Sequence, residues 1–384
     1  MNSFIEKFIS RFNCRPDAAA QAPGRLEVLG NHTDYNEGFV LSCAVGQNTK
    51  FALTALPGTA KCQVTDFRSG ENMAFDLADM DAPPPKNGCA YIVGMMTEMR
   101  KRGAEFCGFN AALESDVPLS AGMSSSAALE TAAGLAMGKV FGLELDKAEW
   151  ARAGQGVENN FLGLKTGLLD QFSSLFGRAN NIIMSDFRSV EVIDTLPLDK
   201  NYCFVVVNSM IKHHLVDSDY NIRRENCESA AAKLSAVYPG VKTLRDVTPE
   251  MLENAAGKLS ALELARARHV VCECFRVQQA PEILRADNML QFGKLLYDSH
   301  HSSRVNFENS TPELDCLVEL STSIPGCIGA RLSGGGFGGI TIHLVESAEA
   351  ENYSRRIAGA YYSRTGIKPQ CFICAIGDGA EMII

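Results

Sequence analysis

The sequence predicts an α+β fold built from two domains. Its 384 residues exceed the usual size of one domain, and with 46% hydrophobic and 21% charged residues each domain can bury an ordinary core. Strand and helix patterns alternate along the chain without the regular strand–helix–strand repeat of a parallel α/β fold. We therefore predict an N-terminal domain over residues 1–195 and a C-terminal domain over residues 196–384.

The N-terminal domain begins with an amphipathic helix, because large apolar residues recur at helical spacing from Phe4 to Phe12 with charged residues between them. Period-two alternation then predicts short strands within residues 38–77, and the Pro83-Pro84-Pro85 run ends this region. The patterns that follow are a helix at 88–102, a strand at 107–115, and helices at 124–141 and 147–163.

The C-terminal domain contains a long helical stretch between two strand patterns. The apolar run 202–207 is typical of a buried strand. Thr248-Pro249-Glu250 and Thr311-Pro312-Glu313 each combine an N-cap, a proline at the first helical position and an acidic first turn, so each predicts the start of a helix. A further strand is predicted at 340–345.

Composition excludes some classes of partner. The formal net charge of −9 argues against sequence-independent binding to DNA or to an anionic membrane surface, because both need a broad basic field. We expect a soluble protein of the cytoplasm, since no segment resembles an export signal or a membrane span. Its thirteen cysteines are then expected to be reduced thiols.

A Cys-x-x-Cys motif at Cys371 and Cys374 has two interpretations. It would suit half a zinc site or a redox pair, but the chain has no second such motif and no HExxH or HxxxH spacing. A buried C-terminal strand is the preferred interpretation.

Residues 118–130 form a loop of small residues that leads into a helix. The first N–H groups of that helix and its positive end would converge on one point, which favours an anion. Serine hydroxyls in its first turn can bind Mg²⁺ or donate to phosphate oxygens. The loop is not a Walker A site, because the chain lacks GxxxxGK[ST]. Without further support it would be a serine-capped helix packed by small residues.

Three other segments contain the polar or flexible residues that a sugar or nucleotide site needs. The first is Gly24-Arg25-Leu26-Glu27-Val28-Leu29-Gly30-Asn31-His32-Thr33-Asp34-Tyr35-Asn36. The second, Gly167-Leu168-Leu169-Asp170-Gln171-Phe172, has one carboxylate among apolar neighbours. The third, Ser333-Gly334-Gly335-Gly336-Phe337-Gly338-Gly339, satisfies GxGxxG literally, but a strand follows it at once, so it does not open a Rossmann unit.

Taken together and in this order, these motifs resemble those of the GHMP small-molecule kinases, and the first segment resembles the galactokinase branch. The resemblance extends from about residue 21 to 345 and includes Ser299-His300-His301-Ser302-Ser303-Arg304. It implies a ribosomal-protein-S5-like N-terminal domain and a ferredoxin-like C-terminal domain with the site between them. The implied reaction is phosphorylation of a hexose, first of all galactose, at C1 by ATP. The implied protein is a monomer whose partners are a small-molecule sugar and ATP, not nucleic acid or membrane.

The resemblance also assigns roles to residues. Asp170 is expected to orient or deprotonate the anomeric hydroxyl, and Arg25 is expected to hold Asp170 ionised. Mg²⁺ is assigned to Ser126 and Glu158, since a triphosphate needs a metal with hard oxygen ligands. The residues expected to bind ATP are Gly122, Ser124, Ser125, Ser126 and Ala127. Those expected to bind the sugar are Asn31, His32, Asp34, Gly167 and Tyr220.

Two departures from the family pattern leave alternatives open. Asn31 stands where galactokinases usually have a glutamate, which leaves another hexose or a uronic acid open as the acceptor, unless a neighbouring acid such as Glu27 restores the contact. Gly88 stands where many members have a tryptophan near the adenine, which bears on nucleotide preference. A non-catalytic sugar sensor of the same fold is a further alternative, whereas mevalonate or homoserine as acceptor conflicts with the His32–Tyr35 block.

Overall fold

The structure, a computed structural model, describes residues 3–82, 87–118, 122–212 and 216–384, without the side chains of 212 and 216–218. The predicted break at Pro83-Pro84-Pro85 and residues 119–121 of the predicted phosphate loop lie outside the described residues. The elements of the first half are α1 Ser3–Phe12, β1 Ala18–Leu29, β2 Phe39–Leu56, β3 Lys61–Asp66, β4 Asn72–Asp76, α2 Cys89–Lys101, β5 Gly108–Ser115, α3 Ser125–Phe141, α4 Lys147–Gly156, α5 Leu169–Phe176, β6 Asn181–Asp186 and β7 Glu191–Pro197. Those of the second half are β8 Tyr202–Lys212, α6 Val216–Ser235, α7 Pro249–Asn254, α8 Ala261–Arg285, α9 Met289–Ser302, α10 Pro312–Ser321, β9 Cys327–Ser333, β10 Gly338–Glu346, α11 Ala350–Thr365, β11 Gln370–Cys374 and β12 Glu381–Met382.

The first sheet is eight-stranded within the described residues. Its order is β12-β1-β2-β5-β3-β4, with β6 paired to β2 and β7 paired to β6. The β3–β5 pair is parallel and the other pairs are antiparallel. The last strand of the chain therefore returns to the sheet of the N-terminal half. The domain boundary at residue 195 stays a prediction.

Alternation along β1 determines how the first sheet is covered. Ala18 and Ala20 belong to the core shared with α2, α3, α4 and α5, whereas Ala19 packs with Phe4 and Phe8 of α1 on the opposite face. Successive side chains of a strand point to opposite faces, so one strand of small residues accepts helices on both sides. The predicted amphipathic N-terminal helix is confirmed.

The second sheet has the order β11-β8-β10-β9 and is antiparallel throughout. Phe204 and Val206 of β8 pack with residues of α8 and α9, and Val205 and Val207 pack with residues of α10 and α11. The predicted buried strand at 202–207 is thus confirmed. The first of these two cores also includes Leu26 and other residues of β1, so the two halves of the molecule share a hydrophobic core.

The predicted helix starts at the two Thr-Pro-Glu sequences are confirmed. Thr248 accepts from the Met251 N–H at 3.1 Å, and Thr311 accepts from the Leu314 N–H at 3.3 Å. The C-terminal strand exists as β11, but the expectation that it is buried was wrong in part. It is the edge strand of the second sheet, next to β8, and Cys374 is buried while Ile373 is exposed.

The thirteen cysteines are free thiols. In the described ranges, no group of three or more His, Cys, Asp or Glu side chains gathers in a metal-binding cluster. No helix in those ranges combines the length and the apolar character that crossing a membrane requires.

Candidate active site

Two adjoining cavities lie where β1, the loop before α5 and the β9–β10 loop come together. The first has a volume of about 380 Å³ and the second of about 470 Å³. Arg25, Asp170, Gly334 and Gly335 line both of them. Molecules bound in the two cavities would therefore meet beside Arg25 and Asp170.

Asp170 is held from two sides at this junction. Arg25 donates from Nε to Asp170 Oδ1 at 2.8 Å, and its Nη2 lies 2.7 Å from the same oxygen. The Ser124 hydroxyl donates to Oδ2 of the same carboxylate. Arg25 also donates from Nη1 to the Gly122 carbonyl at 2.7 Å, which anchors it to the segment that leads into α3. The Asp170 side chain remains 29% exposed whereas that of Arg25 is 6% exposed, so the carboxylate is the group that a ligand can reach.

The start of α3 borders the second cavity. Gly122, Ser124, Ser125 and Ser126 line it, while Ala127 is fully buried and takes no part in its wall. The first N–H groups of a helix have no intrahelical partners, so this end of α3 offers donors to an anion in the cavity. Gly122 has a φ of +67° and Ser124 a φ of 55°, so both lie in the left-handed region, which a non-glycine residue such as Ser124 adopts only at a cost in free energy.

Glu158 lies next to the first turn of α3, in the π-helical turn Val157–Phe161 that follows α4. The Ser126 hydroxyl donates to Glu158 Oε1 at 3.4 Å, and the Thr166 hydroxyl donates to Oε2 at 2.6 Å. Burial raises the pKa of Glu158 to about 7, and the charge of Asp170 adds to the shift. A hydroxyl and a carboxylate at one point are ligands that Mg²⁺ accepts, and a bound cation would offset the cost of burying this carboxylate.

Asp34 and Gly167 adjoin in the wall of the first cavity. A Cβ atom on Gly167 would lie 1.6 Å from Asp34 Oδ2, so a side chain at 167 is incompatible with the position of this carboxylate. Burial raises the pKa of Asp34, an effect that the backbone N–H groups of Tyr35 and Leu169 oppose. Gly167, which is predicted to bind the sugar, also makes room for the Asp34 carboxylate.

His32 and Tyr220 form an aromatic wall of the same cavity. Their ring centroids are 5.0 Å apart. His32 Nε2 lies 3.1 Å from the Gly335 carbonyl and donates to it, because a carbonyl can only accept. In a neutral imidazole the other nitrogen is then the acceptor, so Nδ1 accepts from the Tyr35 hydroxyl at 2.8 Å. Burial lowers the pKa of His32 to about 3, so the ring is neutral at physiological pH. Both ring nitrogens are already bonded to protein groups.

Asn31 borders the first cavity but is fully buried. Its Nδ2 donates to Glu27 Oε1 and to the Gly334 carbonyl, each at 2.9 Å. Its Oδ1 accepts from Asn309 Nδ2 at 2.9 Å and from the Ser303 hydroxyl at 3.3 Å. The amide has two donor and two acceptor positions, and protein groups take all four. A direct bond to a sugar would require one of these contacts to open.

Two buried residues of α8 support the first motif from behind. Glu273 accepts from the Gly30 N–H at 3.0 Å and from the Ser299 hydroxyl at 2.6 Å. Burial alone would raise the pKa of Glu273, but the charges of Arg276 and Arg331 outweigh it and lower the pKa to about 2. The carboxylate therefore holds the backbone of the Gly30 turn as a fixed negative group.

His269 is the second of these supports. Its Nε2 donates to the Asn31 carbonyl at 3.1 Å, and its Nδ1 accepts from the Ser302 hydroxyl at 3.0 Å. The Ser299–Arg304 stretch, noted in the sequence, thus supplies hydroxyls to this layer. Sequence reasoning missed Glu273 and His269, because a buried polar residue in a long helix has no local pattern that marks it.

The glycine-rich third motif joins β9 to β10. These strands are antiparallel neighbours, which excludes the Rossmann interpretation of its glycines. Gly334 and Gly335 line both cavities, and Gly336, Gly338 and Gly339 line the second. The loop therefore covers the junction from the C-terminal half of the molecule.

Family models match three parts of the chain. The model of the GHMP kinases N terminal domain matches residues 90–178, and that of the GHMP kinases C terminal domain matches residues 281–363. A model described as the galactokinase galactose-binding signature matches residues 6–55, the segment that contains Arg25, Asn31, His32 and Asp34.

Similar proteins cover the chain almost completely. A galactokinase of Actinobacillus pleuropneumoniae serotype 5b (strain L20) is 38% identical over 383 residues, covering 98% of each chain. A galactokinase of Roseiflexus sp. (strain RS-1) is 35% identical and covers 99% of this chain and 96% of the relative. The crystal structure of Lactococcus lactis galactokinase complexed with galactose has a TM-score of 0.92 at 27% identity, covering 99% of this chain and 98% of that one. The Methanococcus jannaschii mevalonate kinase shares the fold with a TM-score of 0.65 at 18% identity, covering 94% and 98% of the two chains. The predicted two-domain GHMP kinase fold is confirmed.

Proposed function

Because this chain belongs to the galactokinase family of GHMP kinases, a family of ATP-dependent carbohydrate kinases, we propose that it transfers the γ-phosphoryl group of ATP to the C1 hydroxyl of galactose. One observation carries the proposal: Arg25 and Asp170 border both cavities. A sugar in the first cavity and a triphosphate in the second would bring a hydroxyl and a phosphorus atom together beside one carboxylate and one guanidinium.

The first cavity suits a sugar because its wall combines hydrogen-bond acceptors with a flat apolar surface. The Asp34 carboxylate can accept from two adjacent hydroxyls. The Tyr220 ring provides a face for the C–H groups of a pyranose, and His32 holds the Gly335 carbonyl in place behind it. Gly167 leaves the space that Asp34 occupies. Asn31 contributes by fixing the cavity wall through its four hydrogen bonds.

Asp170 is the base or orienting acceptor of the reaction. The C1 hydroxyl donates to the carboxylate, its oxygen attacks the γ-phosphorus, and the bond from that phosphorus to the bridging oxygen of ADP breaks. The proton passes to Asp170 late in the step, since phosphoryl transfer depends mainly on positioning and charge stabilisation. Arg25 fixes the carboxylate and offsets the negative charge that spreads over the phosphoryl oxygens.

The phosphates of ATP are assigned to the second cavity. The N–H groups at the start of α3, with Gly122 and the Ser125 hydroxyl, are the donors for their oxygens, and Ser124 takes part through its backbone N–H because its hydroxyl already donates to Asp170. Ser126 and Glu158 fit Mg²⁺, because a hydroxyl and a buried carboxylate within 3.4 Å of each other are hard oxygen donors beside the loop. When bound, the ion would neutralise charge on the triphosphate.

ADP release against a panel of monosaccharides tests the proposal. We expect galactose to give the highest kcat/KM among galactose, glucose, galacturonate and N-acetylgalactosamine, with Mg²⁺ present. A preference for another sugar would mean that the departure at Asn31 has changed the acceptor. Galactose binding without any ADP release would instead indicate a sugar sensor.

A further inference from the structure

Glu27 is a buried carboxylate in the sugar cavity that the reaction scheme above does not use. It lies on β1 two residues after Arg25 and lines the first cavity with it. Alternate residues of a strand share a face and are about 7 Å apart, so both side chains point into the cavity at neighbouring positions on its wall. Arg25 stands at the phosphoryl end, and Glu27 therefore lies further along the sugar cavity.

The structure holds Glu27 rigidly. Arg331 Nη2 lies 3.0 Å from Glu27 Oε1, and Asn31 Nδ2 donates to the same oxygen at 2.9 Å. The Ser333 hydroxyl accepts from the Glu27 N–H at 3.1 Å and lies 3.0 Å from its carbonyl oxygen, so β9 fixes the backbone as well. Arg331 is fully buried and permanently charged, and a buried charge needs an ionised partner. Glu27 meets that need as a carboxylate.

The second oxygen of this carboxylate remains available. Within the described part of the chain, no group donates to Glu27 Oε2. This oxygen is not enclosed by protein atoms, so a ligand can reach it. Glu27 and Tyr220 line the same cavity. Burial raises the pKa of Glu27, and the charges of Arg331 and Arg25 and the hydrogen bond from Asn31 oppose that effect. An ionised carboxylate can only accept hydrogen bonds.

We infer that Glu27, held by Arg331 and Asn31, is the specificity-determining acceptor for a sugar hydroxyl across the ring from C1, on C4 or C6. Asn31 then acts through Glu27 as a positioning residue. Specificity follows from the charge: a hydroxyl at that place is favoured, a missing hydroxyl leaves Oε2 of the buried carboxylate without a hydrogen-bond donor, and an anionic group is repelled. A uronic acid is therefore disfavoured as the acceptor. This inference rests on the proposed function for the direction in which the sugar lies.

The test compares binding of galactose and of its 2-, 4- and 6-deoxy analogues by calorimetry, in the wild type and in Glu27→Asp. The aspartate keeps a charge for Arg331 and withdraws the carboxylate by one methylene, so the protein is expected to fold. Losing a hydrogen bond to a charged group should weaken binding of the 4-deoxy or the 6-deoxy sugar by on the order of 10- to 150-fold in the wild type. In Glu27→Asp that penalty should fall at least fivefold, while the penalty for 2-deoxygalactose should not change. Glu37→Asp, at an exposed glutamate outside the cavity, is the matched control.

Equal deoxy penalties in the wild type and Glu27→Asp, or a change confined to 2-deoxygalactose, would overturn the inference. Glu27→Gln, analysed in the same way after its fold is checked by circular dichroism, should show the same reduced penalty. ADP release is measured on the same samples. A protein that shows the coupling in binding but releases no ADP contradicts the proposed reaction and not the role of Glu27.

Discussion

Gly167→Ala should disable the sugar site by displacing Asp34. The added Cβ would lie 1.6 Å from Asp34 Oδ2, whereas real Cβ contacts are not shorter than 3.0 Å, so the carboxylate must move by about 1.4 Å, the difference between the two. A misplacement of about 1 Å in a positioned group can lower a rate about 100-fold. We therefore expect kcat/KM for galactose to fall at least about 100-fold, while ATP affinity changes little because Asp34 does not border the phosphate cavity.

The measurement is a coupled ADP-release assay over a range of galactose concentrations, with ATP binding followed separately by calorimetry. Gly257→Ala is the matched control, because no atom lies within 4 Å of a Cβ added there. Thermal unfolding of both variants checks that they fold. If Gly167→Ala folds and retains activity within threefold of wild type, the explanation of Asp34 placement by the missing side chain is refuted.

Three further predictions concern the base, the metal and the acid stability of the fold. Asp170→Asn should lower kcat by about 10²- to 10⁴-fold with ATP binding nearly intact, and near wild-type turnover would remove Asp170 from the mechanism. Ser126→Ala and Glu158→Gln should each raise the Mg²⁺ concentration needed for half-maximal activity, with non-additive effects in the double variant; a titration that neither variant shifts would show that the ion binds elsewhere. Burial lowers the pKa of His343 to about 3, so below pH 6.5 this residue gains a proton in the unfolded chain but not in the native protein. Its contribution to the free energy of unfolding therefore falls by about 1.4 kcal/mol per pH unit as the pH falls toward 3. His343→Gln should take up about one proton fewer on unfolding at pH 5, and an unchanged uptake would contradict this.

The sequence predicted most of the fold because its elements carry strong local signals. The amphipathic spacing of Phe4 and Phe8, the apolar run beginning at Tyr202 and the Thr-Pro caps at 248 and 311 each appear as expected. The edge position of β11 was not predictable, since pairing on one side or two depends on tertiary order and not on the residues of the strand. The pairing of β12 with β1 was not predictable for the same reason, because it joins segments more than 350 residues apart.

The site was predicted to the extent that motifs mark it. Arg25 lies beside Asp170 and Ser126 beside Glu158, as the resemblance implied, whereas the contact of Ser124 with Asp170 was not expected. The support layer of Glu273 and His269 could not be predicted, since its members are helix residues whose partners are backbone groups of a distant turn. The saturated hydrogen bonding of Asn31 likewise depends on residues about 270 positions away.

The position of the phosphate on the product tests the central claim most directly. Wild-type protein is incubated with galactose, ATP and Mg²⁺, and the product is analysed by proton–phosphorus correlation NMR, with Asp170→Asn as the comparison. Because Asp170 stands where the two cavities meet, we expect a phosphate coupled to the C1 proton and a strongly reduced amount of this product in the variant. A phosphate coupled to the C6 protons, or equal product from both proteins, would contradict it.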